Sequence, residues 1–243
     1  MRRPLEWQLA TVTAIRDETP RVKSFTLALP EWTPHHAGQH YDLRLTAPDG
    51  YQAQRSYSIA SAPHEDRLVL TVERLEDGEV SPYLVDELRA GDELELRGPI
   101  GGYFVWDEPL GGPLLWVAGG SGIVPFRSMW RHRRDVGSTV PVRLLVSARS
   151  HPLLVYAEEL LQLECDGVAV SVTLTREQPE GWRGHRGRID SHLLAEIGWR
   201  PDERPLVYVC GPTAFVETAA DALVDLGHDP GRIRTERFGG TGT

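Results

Sequence analysis

The sequence predicts a β-rich antiparallel domain followed by an α/β domain built on a parallel sheet. Three observations carry this. The first part of the chain breaks into short β-rich runs separated by turn signals, the pattern of an antiparallel barrel or sandwich. Beyond it, continuous apolar runs alternate with helical stretches, as in a parallel sheet covered on both faces. Between the two lies Asp107–Pro113 (DEPLGGP), rich in Pro and Gly where the pattern changes, which reads as a linker.

In chain order, the candidate strands of the first half are Gln8–Asp17, Val22–Leu29, His40–Thr46, Gln54–Ala60, Leu68–Glu73 and Glu93–Gly98. Breaks at Pro48–Gly50 and Glu76–Gly78 separate them. A short helix is expected after Gly78, with Ser81 as its N-cap, Pro82 at the first position, where a missing N–H costs nothing, and Tyr83–Leu88 as its body. In the second half, Leu114–Ala118, Val142–Ser147, Val168–Thr173 and Pro205–Cys210 read as strands. Helices are expected over Pro125–Arg134, Val155–Glu164 and Ser191–Ile197, with Ala214–Leu226 after the last strand.

A chain of 243 residues suffices for one large or two modest domains, and its 40% hydrophobic and 25% charged residues are ordinary for a globular protein. The net charge of −9 speaks against a nucleic-acid partner, because a phosphate backbone calls for a basic surface. The two cysteines, Cys165 and Cys210, form no CxxC pair, so neither a disulfide framework nor a zinc site is expected. An iron–sulfur cluster, which takes four cysteine ligands, would have to lie on another protein. No apolar run reaches the roughly eighteen residues of a membrane span and no hydrophobic signal core follows the first residues, so a cytoplasmic location is expected.

Two segments point to chemistry. Leu114–Phe126 (LLWVAGGSGIVPF) is an apolar run that stops in a glycine-dense turn before a helical pattern resumes. Gly119, Gly120 and Gly122 would let the backbone turn sharply and approach a pyrophosphate, whose charge the helix N-terminus would favour. The motif reads GxGxxP rather than GxGxxG, and by itself it fits a nucleotide site and a purely structural turn equally well. Upstream, Gln54–Ser61 (QRSYSIAS) reads as a strand presenting Arg55, Tyr57 and Ser58. Alternation puts Arg55 and Tyr57 on one face and Ser58 on the other unless the strand bends. An arginine for phosphate, a ring for stacking and a hydroxyl for a ring nitrogen suit a flavin, while a half-buried strand aromatic beside a solvated arginine is the bland alternative.

Taken in order, RxYS (Arg55–Ser58), GPxGG (Gly98–Gly102), GGxGxxPF (Gly119–Phe126) and CGPTxF (Cys210–Phe215) resemble the ferredoxin–NADP reductase superfamily across nearly the whole chain. The resemblance implies a six-stranded antiparallel barrel that holds FAD over residues 1–108, and a doubly wound parallel α/β domain that holds the nicotinamide nucleotide over residues 112–243. It places Arg55 on the flavin pyrophosphate, Tyr57 against the isoalloxazine and Ser58 near flavin N5, with Ser56 between them. It adds Gly78, Val80 and Ser81 as backbone donors at a helix start. Gly98–Phe104 closes the barrel, with Phe104 and Tyr103 read as packing residues.

On the nucleotide side, the resemblance assigns the pyrophosphate to Gly119, Gly120, Ser121 and Gly122. Cys210, Gly211, Pro212 and Thr213 end a strand, where open parallel sheets bind their ligands, so Cys210 would face the cleft in which nicotinamide meets flavin. Ser147 and Arg149 follow one strand, Thr175 and Arg176 the next, and Arg188 lies beyond. This is similar to an NADP-type pattern, in which guanidinium forks meet the 2′-phosphate, and it favours NADPH over NADH. Glu236 and Phe238 match a Glu-x-aromatic ending, but Gly239–Thr243 continue past it, so a frayed tail competes with a stacking role for Phe238.

The implied activity is an FAD-dependent NADPH oxidoreductase in which Ser58, Cys210 and Glu236 tune hydride transfer and electrons pass to a separate ferredoxin- or flavodoxin-type acceptor. FAD rather than FMN rests on the resemblance alone. One rival is an NADH-dependent reductase component of an oxygenase or other multi-protein redox system. Another is a nucleotide-binding interaction module without turnover. No metal is expected.

Overall fold

Six strands, β1 (Gln8–Thr19), β2 (Val22–Ala28), β3 (His40–Thr46), β4 (Gln52–Ser58), β5 (Leu68–Glu73) and β6 (Glu93–Ile100), form an antiparallel sheet in the order β4-β3-β6-β1-β2-β5. The computed structural model describes residues 5–239, and every structural statement below concerns those. Alternation sends Val12, Phe25, Leu43, Leu70, Leu94 and Leu96 into one interior cluster. The sheet closes on itself where Ile59 bridges Leu70 and the Ala60 N–H donates to the Val69 carbonyl at 2.8 Å. Strand β4 ends two residues before the expected Ala60: Ile59 still donates its N–H to the Gln39 carbonyl at 2.9 Å while it bridges Leu70, and Ala60 turns to Val69 to make this seam.

The helix expected after Gly78 is a single π-helical turn, Tyr83–Glu87, and Ser81 does not cap it. The Ser81 hydroxyl instead turns back to accept the Leu75 N–H at 3.0 Å, closing the preceding loop. Val80 and Leu84 are buried in the barrel interior.

After the linker, β7 (Leu114–Gly119), α1 (Val124–Asp135), β8 (Val142–Ala148), α2 (Ala157–Leu163), β9 (Val168–Leu174), β10 (His185–Arg186), α3 (Ser191–Ile197), β11 (Leu206–Pro212), α4 (Thr213–Asp225) and β12 (Ile233–Phe238) follow. All six strands run parallel, in the order β10-β9-β8-β7-β11-β12. Period-two alternation divides β7 between two cores: Leu114, Trp116 and Ala118 pack with α1 and α2, while Leu115 and Val117 pack with α3 and α4. The same rule on β11 puts Tyr208 and Cys210 on the α1 side and Val207 and Val209 on the other.

Two strands lie outside the sequence reading. β10 has only two residues and no apolar run, and β12 is an edge strand, IRTERF, whose mixed polarity hides it. Phe238 is therefore in a strand, in register with Pro212, and is not part of a frayed tail. Residues 240–243 lie outside the described residues. Helix α2 starts two residues later than expected because Tyr156 takes a left-handed backbone, φ +61°.

The two halves share a core. Ala37, Ala60, Val69, Phe104 and Trp106 of the first pack with Phe126, Met129 and Trp130 of α1. Polar ties reinforce it. The buried Arg127 donates to the Ala60 carbonyl at 3.2 Å and pairs with Glu159 at 2.7 Å, its guanidinium lying 4.8 Å from the Tyr156 ring centre. Ser128 Oγ donates to the Ser61 carbonyl, and Tyr156 Oη donates to Thr71 Oγ1, each at 2.7 Å.

Candidate functional site

Two contiguous cavities open where the halves meet, and Glu73 and Ser121 line both. The first is walled by the end of β4, with Arg55, Ser56, Tyr57 and Ser58, and by the loop carrying Gly78, Val80 and Ser81. The parallel sheet adds Cys210, Glu236 and Phe238. The end of β4 thus brings to one cavity residues that strict alternation would divide.

Each side chain has a distinct environment. Arg55 Nη2 pairs with Glu79 Oε2 at 2.7 Å, and the other oxygen of Glu79 accepts from Tyr51 Oη at 2.9 Å. Ser56 lines the cavity, but its hydroxyl donates to Asp42 at 2.7 Å. Burial pushes the Tyr57 phenol well up. Ser58 Oγ donates to Glu236 Oε1 at 3.4 Å, while Glu236 Oε2 is buried with no partner. Burial pushes the Glu236 carboxyl up to about 7, opposed by the Ser58 contact. Cys210 is 1% exposed and stands opposite Glu236 in the β11–β12 register. Burial, then the neighbouring Glu236, push its thiol well above its ordinary value.

The second cavity is lined by Gly119, Gly120, Ser121, Ser147, Arg149, Thr175 and Pro212, all expected from the sequence. The glycines serve a purpose the sequence reading missed. A Cβ on Gly119 would lie 2.8 Å from the Phe215 ring, and one on Gly122 would collide with the Cys210 carbonyl. These two positions are glycine because the end of β7 packs on Phe215 of α4 and the turn after it packs on β11; Gly120, with φ +56°, makes the turn itself. Gly122, Gly211 and Thr213 line neither cavity.

Of the three arginines expected at the nucleotide, only Arg149 lines the cavity. Arg176 is exposed and its backbone N–H donates to the Arg149 carbonyl at 2.9 Å; Arg188 is exposed and lines neither cavity. The barrel contributes residues that the sequence reading overlooked, among them Glu73, Glu79, Thr19 and Arg21. They belong to turns and strand ends, and nothing local in the sequence marks them. Phe215, Val124 and Arg237 lie inside the motif segments themselves and are the legible omissions.

An open groove that shares Glu79 with the first cavity is bordered by Pro48, Tyr51 and Tyr83, with Tyr51 57% exposed. Among the described residues, no group of three or more His, Cys, Asp or Glu side chains is placed to hold a metal ion. No helix among them is long and apolar enough to cross a membrane.

Known proteins agree with this arrangement. Residues 9–105 match the family described as the oxidoreductase FAD-binding domain, and residues 116–221 match the oxidoreductase NAD-binding domain. The chain is 35% identical to the ferredoxin–NADP reductase B of Sorangium cellulosum, over 94% of this chain and 96% of that one. It is 34% identical to the glycine betaine monooxygenase reductase subunit of Pseudomonas aeruginosa, over 84% of this chain and 56% of that one, so it spans little more than half of that relative. The FAD/NAD-binding domain of a Vibrio cholerae nitric oxide dioxygenase superposes with a TM-score of 0.86 at 25% identity, covering 96% of this chain and 99% of that one. The chain belongs to the ferredoxin–NADP reductase family of two-domain FAD- and NAD-binding oxidoreductases.

Proposed function

We propose that this protein takes a hydride from NADPH onto FAD and passes the electrons singly to a separate acceptor protein of the ferredoxin or flavodoxin type, in the cytoplasm. The observation that carries this reading is the meeting of Ser58 and Tyr57 from the barrel with Cys210 and Glu236 from the parallel sheet in one cavity, continuous with a second at the Gly119–Gly122 turn. We take residues 1–108 and 112–243 as the flavin and nucleotide domains.

The cavity residues fit a flavin. Arg55, half exposed, is free to exchange Glu79 for a pyrophosphate, and the Gly78–Ser81 loop borders the same space. Tyr57 and Phe238 supply apolar ring faces, and the groove beside Tyr51 and Tyr83 gives an adenosine end somewhere to lie, which supports FAD over FMN. When bound, the flavin supplies hydride acceptance and the conversion to one-electron steps. The chain's work is positioning. Cys210 sets the depth to which a nicotinamide enters. Ser58 offers a hydroxyl at the ring, and Glu236, titrating near neutrality, holds or releases a proton beside it.

Arg149, with the Ser147 and Thr175 hydroxyls, is the group that would meet a 2′-phosphate. Because Arg176 and Arg188 do not join it there, a second reading stands beside the first: an NADH-using reductase component of an oxygenase system, in keeping with the similarity to the glycine betaine monooxygenase reductase subunit. Purified protein should be yellow and bleach under anaerobic NADPH, and stopped-flow reoxidation by candidate ferredoxins and flavodoxins should identify the acceptor class. A colourless preparation that FAD cannot reconstitute refutes both readings. A kcat/KM ratio favouring NADH selects the second.

A further inference from the structure

Glu73 ends β5 and is the one acidic side chain that lines both cavities. Its Oε2 accepts from Ser121 Oγ at 2.7 Å, and a Cβ on Gly120 would lie 3.7 Å from that same oxygen. The carboxylate therefore stands against the turn whose backbone, in the reading above, receives the nucleotide pyrophosphate. Among the described residues no cation is paired with Glu73. Arg74 is engaged with Glu76 and Asp86, and Arg21 with Glu76 and the Arg74 carbonyl, while Arg149 lines the second cavity with Glu73 without pairing with it.

We propose that Glu73 is a release determinant that weakens the grip of the glycine turn on the pyrophosphate of either nicotinamide nucleotide. Two effects act in the same direction. A carboxylate within a few ångströms of two phosphate charges opposes them strongly in a cleft walled by protein, where water screens little. Its hold on the Ser121 hydroxyl also withdraws a donor that the pyrophosphate would otherwise use. Oxidised nucleotide consequently leaves the flavin face quickly. This inference rests on the nucleotide-site reading above, and it concerns the pyrophosphate, which NADH and NADPH share, rather than the 2′-phosphate.

Glu73→Gln tests it, because glutamine keeps an acceptor for Ser121 and removes only the charge. In oxidised, flavin-loaded enzyme at low ionic strength, the Kd values of NADP+ and NAD+ each fall about tenfold, equivalent to about 1.4 kcal/mol. Dissociation slows in step, and the difference from the parent narrows as salt is added. Adenosine 2′-monophosphate, which lacks the pyrophosphate, binds to variant and parent alike. Unchanged or weaker dinucleotide binding overturns the proposal, and so does equal tightening of adenosine 2′-monophosphate, which would reveal a long-range field rather than a local contact. Parental flavin content and near-ultraviolet circular dichroism establish that the variant is folded. Arg149→Ala separates the two readings. If it weakens NADP+ while Glu73→Gln does nothing, only the role of Glu73 fails; if neither variant alters NADP+ binding, the nucleotide site itself is misassigned.

Discussion

Ser58 Oγ and Glu236 Oε1, 178 positions apart in the chain, meet at 3.4 Å across the junction of the two sheets. One side chain comes from the end of a barrel strand and the other from the last strand of the parallel sheet, so neither domain alone possesses the pair. Its polar environment is incomplete, because Glu236 Oε2 is buried without a partner.

That orphaned oxygen makes Glu236 a source of pH dependence. Its folded-state value, about 7, lies above its ordinary 4.5, so its contribution to stability is full below about 4.5 and is lost as pH rises through about 7. Flavin-free protein should lose stability between these values, and Glu236→Gln should remove up to roughly 3 kcal/mol of that loss by pH 8. Parallel stability curves for parent and variant, measured by denaturant titration across the range, would contradict the assignment.

Arg55→Ala should weaken FAD by about 1.5–3 kcal/mol, the value of a charge-assisted contact to pyrophosphate. Glu79→Gln, which removes only a half-exposed ion-pair partner, should change FAD affinity by less than about 1 kcal/mol. Tyr51→Ala should weaken FAD but leave FMN unaffected. Flavin fluorescence titrations of the apoproteins report all three, and equal flavin retention by Arg55→Ala and parent after dialysis refutes the site.

Arg149, Arg176 and Arg188 should separate in kinetics as they do in space. Arg149→Ala should lower kcat/KM for NADPH by roughly 1.5–3 kcal/mol while NADH is nearly untouched. Arg176→Ala should have a smaller effect, and Arg188→Ala none. Loss of both nucleotides to the same degree in Arg149→Ala would place that side chain elsewhere than on the 2′-phosphate.

Arg127→Ala should destabilise the whole protein by about 1.5–3 kcal/mol, because it takes from Glu159 the closer of its two guanidinium partners, leaving Arg131 at 3.3 Å, and removes a donor from the Ala60 carbonyl. Arg127→Lys should rescue little, since an ammonium cannot serve the carboxylate, the carbonyl and the Tyr156 ring together. Thermal denaturation decides: rescue by lysine would mean that charge alone matters there.

Much of this was legible in the sequence where the signal is local. The strands of the barrel and the central strands of the parallel sheet announce themselves by β-rich or apolar runs, and Arg55–Ser58 and Cys210 sit where their motifs place them, in one cavity. What escaped depends on distant parts of the chain. β12 is stabilised by β11 rather than by its own composition, and Glu73 and Arg21 reach the nucleotide cavity only because the halves dock as they do. Ser81 misled because an N-cap pattern cannot reveal that a loop N–H, from Leu75, claims the hydroxyl first. The spacing of Gly119 and Gly122 is legible locally, but the Phe215 ring and the Cys210 carbonyl that crowd them come from distant parts of the chain.

The closure of the barrel imposes an order on its making. Its seam, where Ile59 meets Leu70, is followed at once by Ala60 and Ser61, whose carbonyls are held by Arg127 and Ser128 of α1. On the ribosome, the first hundred residues emerge with that seam unguarded and with the open edges of β4 and β5 available to a stray strand. Only when α1 has been synthesised does the Ala60 carbonyl gain its Arg127 donor, the Ser61 carbonyl a second partner beside His35, and Val69 its cover. A gene cut at the linker would thus encode a first product that holds its own seam but lacks the Arg127 and Ser128 side chains that fasten it.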